Sequence, residues 1–257
     1  MNDFSAGLNR FSEFFSEFPD KYCLIGGAAV WLLMEEAGVQ ARTTKDLDIV
    51  LTMETMDEAF GAAFWQFVRD GEYAAAEKSS GQRTFYRFTG PKRPDYPQML
   101  ELFSRPLSGI ESASDQQITP IAVSGEVSSL SAILLDESCY RYLREHTRSL
   151  QGITVASAIA LIPMKAKAWL DLSARKREGQ RVDSRNTKKH RSDILRLSQL
   201  LSPNTKVVLP SVLREDVKRF LSQVRPEITH DVLRGAGIAD YSPGEVASQI
   251  SKVFGLP

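Results

Sequence analysis

The spacing of apolar residues predicts alternating helices and strands over roughly the first hundred residues. Leu8, Phe11, Phe14 and Phe15 recur at helical spacing within residues 5–17 and predict an amphipathic helix. The elements predicted after it are a short buried strand over 21–27, a helix ending at Gly38, a strand over 46–52, a helix over about 55–70 opened by a Thr55–Glu58 capping box, and strands over 83–90 and 97–105.

Beyond this part, the pattern suggests further short strands over 106–130 and becomes helical from about residue 131. Ser242, Pro243 and Glu245 supply an N-cap, a first-turn proline and an N3 glutamate for a last helix. The sequence therefore predicts an α/β N-terminal domain over 1–130, with a mixed sheet flanked by helices, and an α-helical C-terminal domain over 131–257.

Composition places the chain among ordinary globular proteins. The 257 residues are 42% hydrophobic and 25% charged, and the formal net charge is zero. The N-terminus lacks the basic and apolar regions of a signal peptide, and no apolar run is long enough to cross a membrane. We therefore expect a cytoplasmic protein that does not enter a membrane.

Two aspartates lie one residue apart in the otherwise apolar strand "DLDIVL". Side chains at i and i+2 of a strand point to the same side, about 7 Å apart at Cα. Asp46 and Asp48 would therefore repel each other, and a divalent cation such as Mg²⁺ or Mn²⁺ would remove that repulsion. The alternative is a strand end that carries two solvated acids.

A glycine pair ends the preceding strand, in "LIGGAAV". Such a turn brings backbone amides close to an anion, and the N-terminus of the following helix favours phosphate. Gly26 and Gly27 are therefore candidate phosphate-binding residues. The alternative is a tight strand–helix turn that binds nothing.

The order of these two motifs resembles the nucleotidyltransferase superfamily, which has the fold of DNA polymerase β. The stretches "LIGGAAVWLL" and "RTTKDLDIVL" look more closely like the AbiEii-type toxins of bacterial toxin–antitoxin systems. The matching positions of the G-G-x-A and R-x-T-x-D-L-D patterns are Gly26, Gly27, Ala29, Arg42, Thr44, Asp46, Leu47 and Asp48. The resemblance implies a nucleotidyltransferase-like N-terminal domain in which Arg42 and Thr44 help to bind nucleotide. The interval of 19 positions from Gly27 to Asp46 is somewhat long for the superfamily.

The superfamily also uses a third carboxylate on a neighbouring strand. Glu101 lies in the apolar strand "PQMLELF", where an acid needs a partner or a metal. We expect Glu101 to be the third metal ligand or the base that activates the attacking hydroxyl, with Glu111 and Asp115 as alternatives. An edge-strand glutamate without such a role is the competing interpretation. Arg83 and Arg87 are candidate phosphate contacts, although surface arginines are the commoner case.

The second half of the chain matches the family less closely, through "LIPMKAKAWLDL" and "TKKHRSDILRL". Lys165, Lys189 and Asp193 match the family's positions, whereas His190 stands where aspartate is usual. The resemblance implies that Lys165 neutralises triphosphate charge and completes the active site, and that Lys189 and Asp193 help to bind nucleotide. Any one of these lysines could instead lie on a solvated helix face.

Basic residues concentrate between residues 165 and 196. This segment holds eleven Lys or Arg against four Asp or Glu, a net charge of +7 that the rest of the chain balances. Such a stretch can bind a nucleic acid backbone.

Together these features predict an Mg²⁺-dependent nucleotidyltransferase that transfers NMP from an NTP to an acceptor, most readily RNA or tRNA. The family resemblance further implies a toxin or phage-defence role and a cognate antitoxin protein. Two alternatives stay open: transfer to a small molecule or a protein, and a non-catalytic nucleic-acid-binding adaptor of the same fold.

Overall fold

A computed structural model describes residues 4–52, 54–55, 57–77, 83–103 and 137–256, with the backbone only for 75–77 and 83–86. The helices of this part are α1 (Phe4–Phe14), α2 (Gly26–Glu36), α3 (Glu58–Asp70), α4 (Glu137–Glu145), α5 (Ala158–Arg177), α6 (Ser184–Ser198), α7 (Ser211–Val224), α8 (His230–Gly235) and α9 (Pro243–Val253). The strands are β1 (Tyr22–Ile25), β2 (Asp46–Leu51), β3 (Ala74–Glu77), β4 (Arg83–Thr89), β5 (Met99–Phe103), β6 (Thr147–Leu150) and β7 (Ile153–Ala156). A 3₁₀ turn, Arg225–Glu227, precedes α8.

The described strands form one mixed sheet in the order β3-β4-β5-β2-β1-β7-β6. The β2–β5 and β1–β7 pairs are parallel, and the other pairs are antiparallel. The expected class, a mixed sheet with flanking helices, is therefore confirmed.

Contacts among the described residues divide them into two units. The first contains residues 4–32, 42–103 and 147–156, with the gaps given above, and holds the whole sheet. The second contains residues 33–41, 137–146 and 157–256 and is largely helical. The predicted boundary at 130/131 and the strands expected over 106–130 lie outside the described residues.

One face of the sheet is covered by an aromatic cluster from α1 and α3. Phe11 of α1 contacts Tyr22 of β1 edge-to-face at 5.2 Å, and Phe64 of α3 contacts Phe88 of β4 at 5.7 Å. Such contacts add to the apolar burial that holds helices on a sheet. Leu47, Ile49 and Leu100 of the central strands lie on this face, so the polar side chains that alternate with them point to the other face.

The start of α3 differs from the sequence prediction. Its N-cap is Asp57, which accepts a hydrogen bond of 2.8 Å from the backbone N–H of Phe60, whereas Thr55 donates to the carbonyl of Asp20. The Phe60 N–H and the Lys21 ammonium lower the pKa of Asp57 below its usual value. A carboxylate next to the first turn caps the helix better than a threonine two residues earlier.

The prediction of continuous helix from about residue 131 was wrong for residues 147–156, which form the hairpin β6–β7. Gln151 and Gly152 connect the two strands with φ of 52° and 78°, the left-handed geometry of a two-residue hairpin turn. Leu24 of β1 then pairs with Val155 of β7, so the hairpin extends the sheet of the first unit. The last helix, by contrast, begins as predicted, with a Ser242–Glu245 capping box.

Candidate active site

The two aspartates of β2 lie on the polar face of the sheet. Leu47 and Ile49, which alternate with them, are at most 1% exposed, while Asp46 and Asp48 are partly exposed. Strand periodicity therefore places both carboxylates on the same side, opposite the aromatic cluster. This placement agrees with the sequence analysis.

Strand register brings Glu101 beside Asp48. In the parallel β2–β5 pair, Asp48 is the direct partner of Glu101, and Asp46 is the partner of Met99. Direct partners on neighbouring strands point to the same face, with strands about 4.8 Å apart. Asp46, Asp48 and Glu101 therefore share one face of the sheet.

Glu101 has a partner that the sequence analysis did not anticipate. Arg87 of β4 donates from Nη2 to Glu101 Oε1 at 2.8 Å, and the two side chains are 43% and 13% exposed, respectively. The ion pair supplies the partner that an acid in an apolar strand requires. Arg83 begins β4, but its side chain lies outside the described part of the chain, as do Glu111 and Asp115.

Gly26 makes room for the Asp48 carboxylate. Its φ is +65°, and a Cβ added there would lie 1.7 Å from Asp48 Oδ2 and 2.6 Å from Cγ. A side chain at residue 26 would therefore meet both backbone strain and a direct clash. The Asp48 carboxylate consequently lies against the backbone that starts α2.

Gly27 makes room for the segment that precedes β2. A Cβ added there would lie 2.7 Å from Thr44 Oγ1 and 3.0 Å from Arg42 Nη2. Thr44 is buried, and Arg42 is partly exposed and donates to the carbonyl of Thr43 at 3.1 Å. The structure thus brings together Gly26, Gly27, Arg42, Thr44 and Asp48. It also gives Gly27 a packing role, in addition to the phosphate approach that the sequence predicted.

The donor set is chemically suited to a hard divalent cation, although it is not arranged as a finished site. Asp46 and Asp48 offer carboxylate oxygens on one face, the ligand type that Mg²⁺ prefers. Glu101 is turned to Arg87, and within the described ranges no group of three or more His, Cys, Asp or Glu side chains is arranged to hold a metal. Asp46 and Asp48 therefore supply suitable ligand atoms, whereas Glu101 would have to change partner to join them.

Lys165 and Asp193 form an ion pair in the second unit. Lys165 Nζ lies 2.8 Å from Asp193 Oδ2, and the side chains are 6% and 0% exposed. Arg196 approaches the other carboxylate oxygen at 3.8 Å. The two residues singled out from separate sequence stretches are thus joined between α5 and α6, whereas Lys189 lies on the exposed side of α6.

Asp216 of α7 is a buried acid that the sequence analysis missed. Its side chain is 5% exposed, and its carboxylate lies 3.5 Å from the Lys167 ammonium of α5. Burial raises the pKa of Asp216, and the nearby Lys167 opposes that shift only in part. Asp216 lies among apolar residues at helical spacing, and that pattern was the only sign in the sequence that its side chain is buried.

The basic segment over 165–196 is less uniformly positive than its composition suggests. Its buried or half-buried cations all have carboxylate partners: Lys165 and Arg196 with Asp193, Lys167 with Asp216, Arg175 with Asp171, and Arg191 with Glu227. The exposed cations are Lys176, Arg177, Arg181, Arg185, Lys188 and Lys189. They run from the end of α5 into the first half of α6, and we call residues 176–189 the basic segment of the second unit.

In the part of the chain that the structure describes, no helix is long and apolar enough to cross a lipid bilayer. Comparison of the chain with protein-family models, with curated proteins and with solved structures gave no match. Any function assigned to the site therefore depends on its own geometry and on the motifs that form it.

Proposed function

We propose that the protein is an Mg²⁺-dependent nucleotidyltransferase that transfers NMP from an NTP to an acceptor hydroxyl. The observation that carries this proposal is the position of the Asp48 carboxylate over Gly26, with Thr44 and Arg42 over Gly27. A glycine turn at a helix start, next to carboxylates on one face of a sheet, combines an anion site with a cation site.

Each group of the first unit has a proposed role. Asp46 and Asp48 hold the cation, and Glu101 is the third ligand or the base that takes the hydroxyl proton. Arg42, Thr44 and the amides after Gly26 bind phosphate oxygens. Bound Mg²⁺ would supply charge neutralisation for the triphosphate and the leaving pyrophosphate. The acceptor oxygen forms a bond to the α-phosphorus as the bond from that phosphorus to pyrophosphate breaks.

RNA or tRNA is the proposed acceptor, and the exposed basic segment over 176–189 supports this choice. The roles of Lys165, Lys189 and Asp193 in nucleotide binding stay predictions. A toxin or defence role, with an antitoxin as partner, is proposed from the motif resemblance only. The cytoplasm is proposed as the location from the features of the N-terminus and the apolar runs given in the sequence analysis.

Asp48→Asn tests the metal-dependent part of the proposal. The substitution keeps the shape of the side chain and removes its charge, so we expect Mn²⁺ affinity and NMP transfer to fall at least tenfold while the thermal melt stays near that of wild type. Mn²⁺ binding is measured by electron paramagnetic resonance, and transfer by incubating the protein with each labelled NTP, Mg²⁺ and total cellular RNA.

Asp95→Asn is the matched control, because Asp95 is an ion-paired acid of the same unit, 2.9 Å from Arg93. It should change neither measurement. If the wild type binds RNA but binds neither Mn²⁺ nor NTP and transfers no NMP, the proposal is contradicted. The non-catalytic adaptor would then be the better interpretation. Transfer to a small molecule or a protein, but not to RNA, would replace the acceptor only.

A further inference from the structure

The pair of Arg87 and Glu101 lies one strand away from Asp48. Strand register puts Arg87 opposite Glu101 and Glu101 opposite Asp48, in a row across β4, β5 and β2. Glu101 has a cationic neighbour on one side and a carboxylate neighbour on the other, each one strand spacing away. Its flexible side chain can therefore reach towards either neighbour.

We propose that Glu101 is shared between Arg87 and a divalent cation held by Asp46 and Asp48, so that Arg87 is a positioning residue of the site. This inference rests on the proposed function. Before the cation binds, Arg87 holds Glu101; when the cation binds, Glu101 turns to it and Arg87 is released towards the triphosphate.

Burial explains why Glu101 needs one partner or the other. Its side chain is 13% exposed, and its neighbours on the same face include Phe103 of β5 and Val50 of β2, which are 6% and 1% exposed. An ionised carboxylate in such surroundings is costly unless it is paired. Arg87, at 43% exposure, can be solvated when Glu101 leaves it. The loss of Glu101 therefore costs Arg87 little free energy, and the buried Glu101 carboxylate has a charged partner both before and after the exchange.

Charge repulsion explains why the arginine is useful before the cation binds. Asp46, Asp48 and Glu101 are three carboxylates on one face of two neighbouring strands. Like charges so placed repel one another. The ion pair with Arg87 draws Glu101 away from the aspartates, so Arg87 competes with the cation for the third ligand.

A double-mutant cycle on Mn²⁺ affinity, measured without nucleotide on the full-length protein, tests the competition. Arg87→Gln should tighten Mn²⁺ binding about threefold to fivefold, because the cation no longer has to break a partly exposed ion pair, whose free energy corresponds to that factor. Glu101→Gln should weaken it. In the Glu101→Gln protein, Arg87→Gln should have no further effect, because no carboxylate is left to compete for. Arg69→Gln, which removes an exposed cation of α3 in the same unit, should leave affinity unchanged.

If Arg87→Gln raises Mn²⁺ affinity by the same factor in the wild type and in the Glu101→Gln protein, the inference is overturned. The increase would then come from the loss of a positive charge near the site and not from competition for Glu101. Unchanged affinity in Glu101→Gln would also overturn the inference. If Glu101→Gln fails to fold, Glu101→Met replaces it, because a side chain of similar length without charge needs no buried partner. Failure of the proposed function is distinct: the wild type would then show no Mn²⁺ binding that depends on Asp48.

Discussion

At the scale of single residues, two glycines determine what the site can contain. Gly26 and Gly27 are adjacent, yet each leaves space for a different element: the Asp48 carboxylate for the first, and the side chains of Arg42 and Thr44 for the second. Loss of activity after substitution of Gly27 would therefore not prove a phosphate cradle, because packing against Thr44 would be lost too. Substitution of Gly26 instead tests one contact, the position of the Asp48 carboxylate over the glycine turn.

Gly38 is a matched control for Gly26. Both have a left-handed φ, +65° and +67°, but among the described residues no atom lies within 4 Å of a Cβ placed on Gly38. Gly38→Ala should lower the free energy of unfolding by about 1–2 kcal/mol, the cost of the left-handed backbone. Gly26→Ala should lower it by more, because the methyl group also displaces Asp48.

Urea unfolding of the two variants measures the difference. In a Gly26→Ala/Asp48→Ala protein, part of the additional loss should be recovered, because the clashing carboxylate is absent. Equal losses for Gly26→Ala and Gly38→Ala would mean that Asp48 moves aside without penalty and is not fixed over the turn.

The sequence was sufficient to predict the glycine turn after β1 and the shared face of Asp46 and Asp48, because a strand–helix turn and strand periodicity are local features. The meeting of Gly26 with Asp48 depends also on the pairing of β1 with β2, which the family resemblance implied. The sequence could not predict the pair of Arg87 and Glu101. That pair depends on the register between β4 and β5, whose connection over residues 90–98 contains three prolines and fixes no recognisable hairpin turn.

At the scale of elements, the buried pair of Lys165 and Asp193 joins α5 to α6. Removing one partner of a buried ion pair leaves a charge in apolar surroundings, which commonly lowers stability by about 3–5 kcal/mol. The lysine proposed to neutralise triphosphate therefore also has a structural role. An inactive Lys165 variant could have lost the helix contact and not the chemistry.

Lys165→Met tests this structural role. We expect the free energy of unfolding in urea to fall by about 3 kcal/mol. A second change, Asp193→Asn, should recover part of that loss, because it removes the buried charge that has lost its lysine and lies 3.8 Å from Arg196. Arg175→Met is the control on the same helix, where the pair with Asp171 is partly exposed and should contribute about 0.5 kcal/mol or less. A loss in Lys165→Met no larger than in Arg175→Met would contradict the structural role.

The elements also show where sequence patterns stop being informative. The last helix was predictable because its capping box is local. The hairpin β6–β7 was missed because its apolar residues run directly into those of α5, and because its pairing with β1 joins Leu24 to Val155, far apart in the chain. Gln151-Gly152 was the one local signal of the turn, since a two-residue loop needs left-handed φ values that glycine adopts readily.

At the scale of the whole molecule, zero net charge conceals an unequal distribution of exposed charge. Five of the cations between residues 165 and 196 pair with buried or nearby carboxylates, and the pairs of Lys165, Lys167 and Arg191 join different elements of the second unit. Apart from Lys165, whose role at the triphosphate stays a prediction, they are therefore poor candidates for phosphate contacts. Even within the basic segment, Arg185 is occupied, because it donates to the Asp183 carboxylate that caps α6.

The acceptor can be tested with the exposed cations Lys176, Arg181 and Lys188. If RNA lies along the basic segment, changing all three to Gln should weaken RNA binding and reduce the slope of log affinity against log salt by about 2–3, because three fewer counterions are released.

Lys206, Lys218 and Lys252 are exposed cations of the same unit, and their triple Gln variant has the same change in net charge. That control should keep the slope of the wild type, and both triple variants should keep its NTP affinity, since neither changes Arg42, Thr44 or Lys165. Equal slopes for the two triple variants would mean that the basic segment does not contact RNA. The acceptor would then be sought among small molecules and proteins, with the proposed transfer chemistry at Asp46 and Asp48 unchanged.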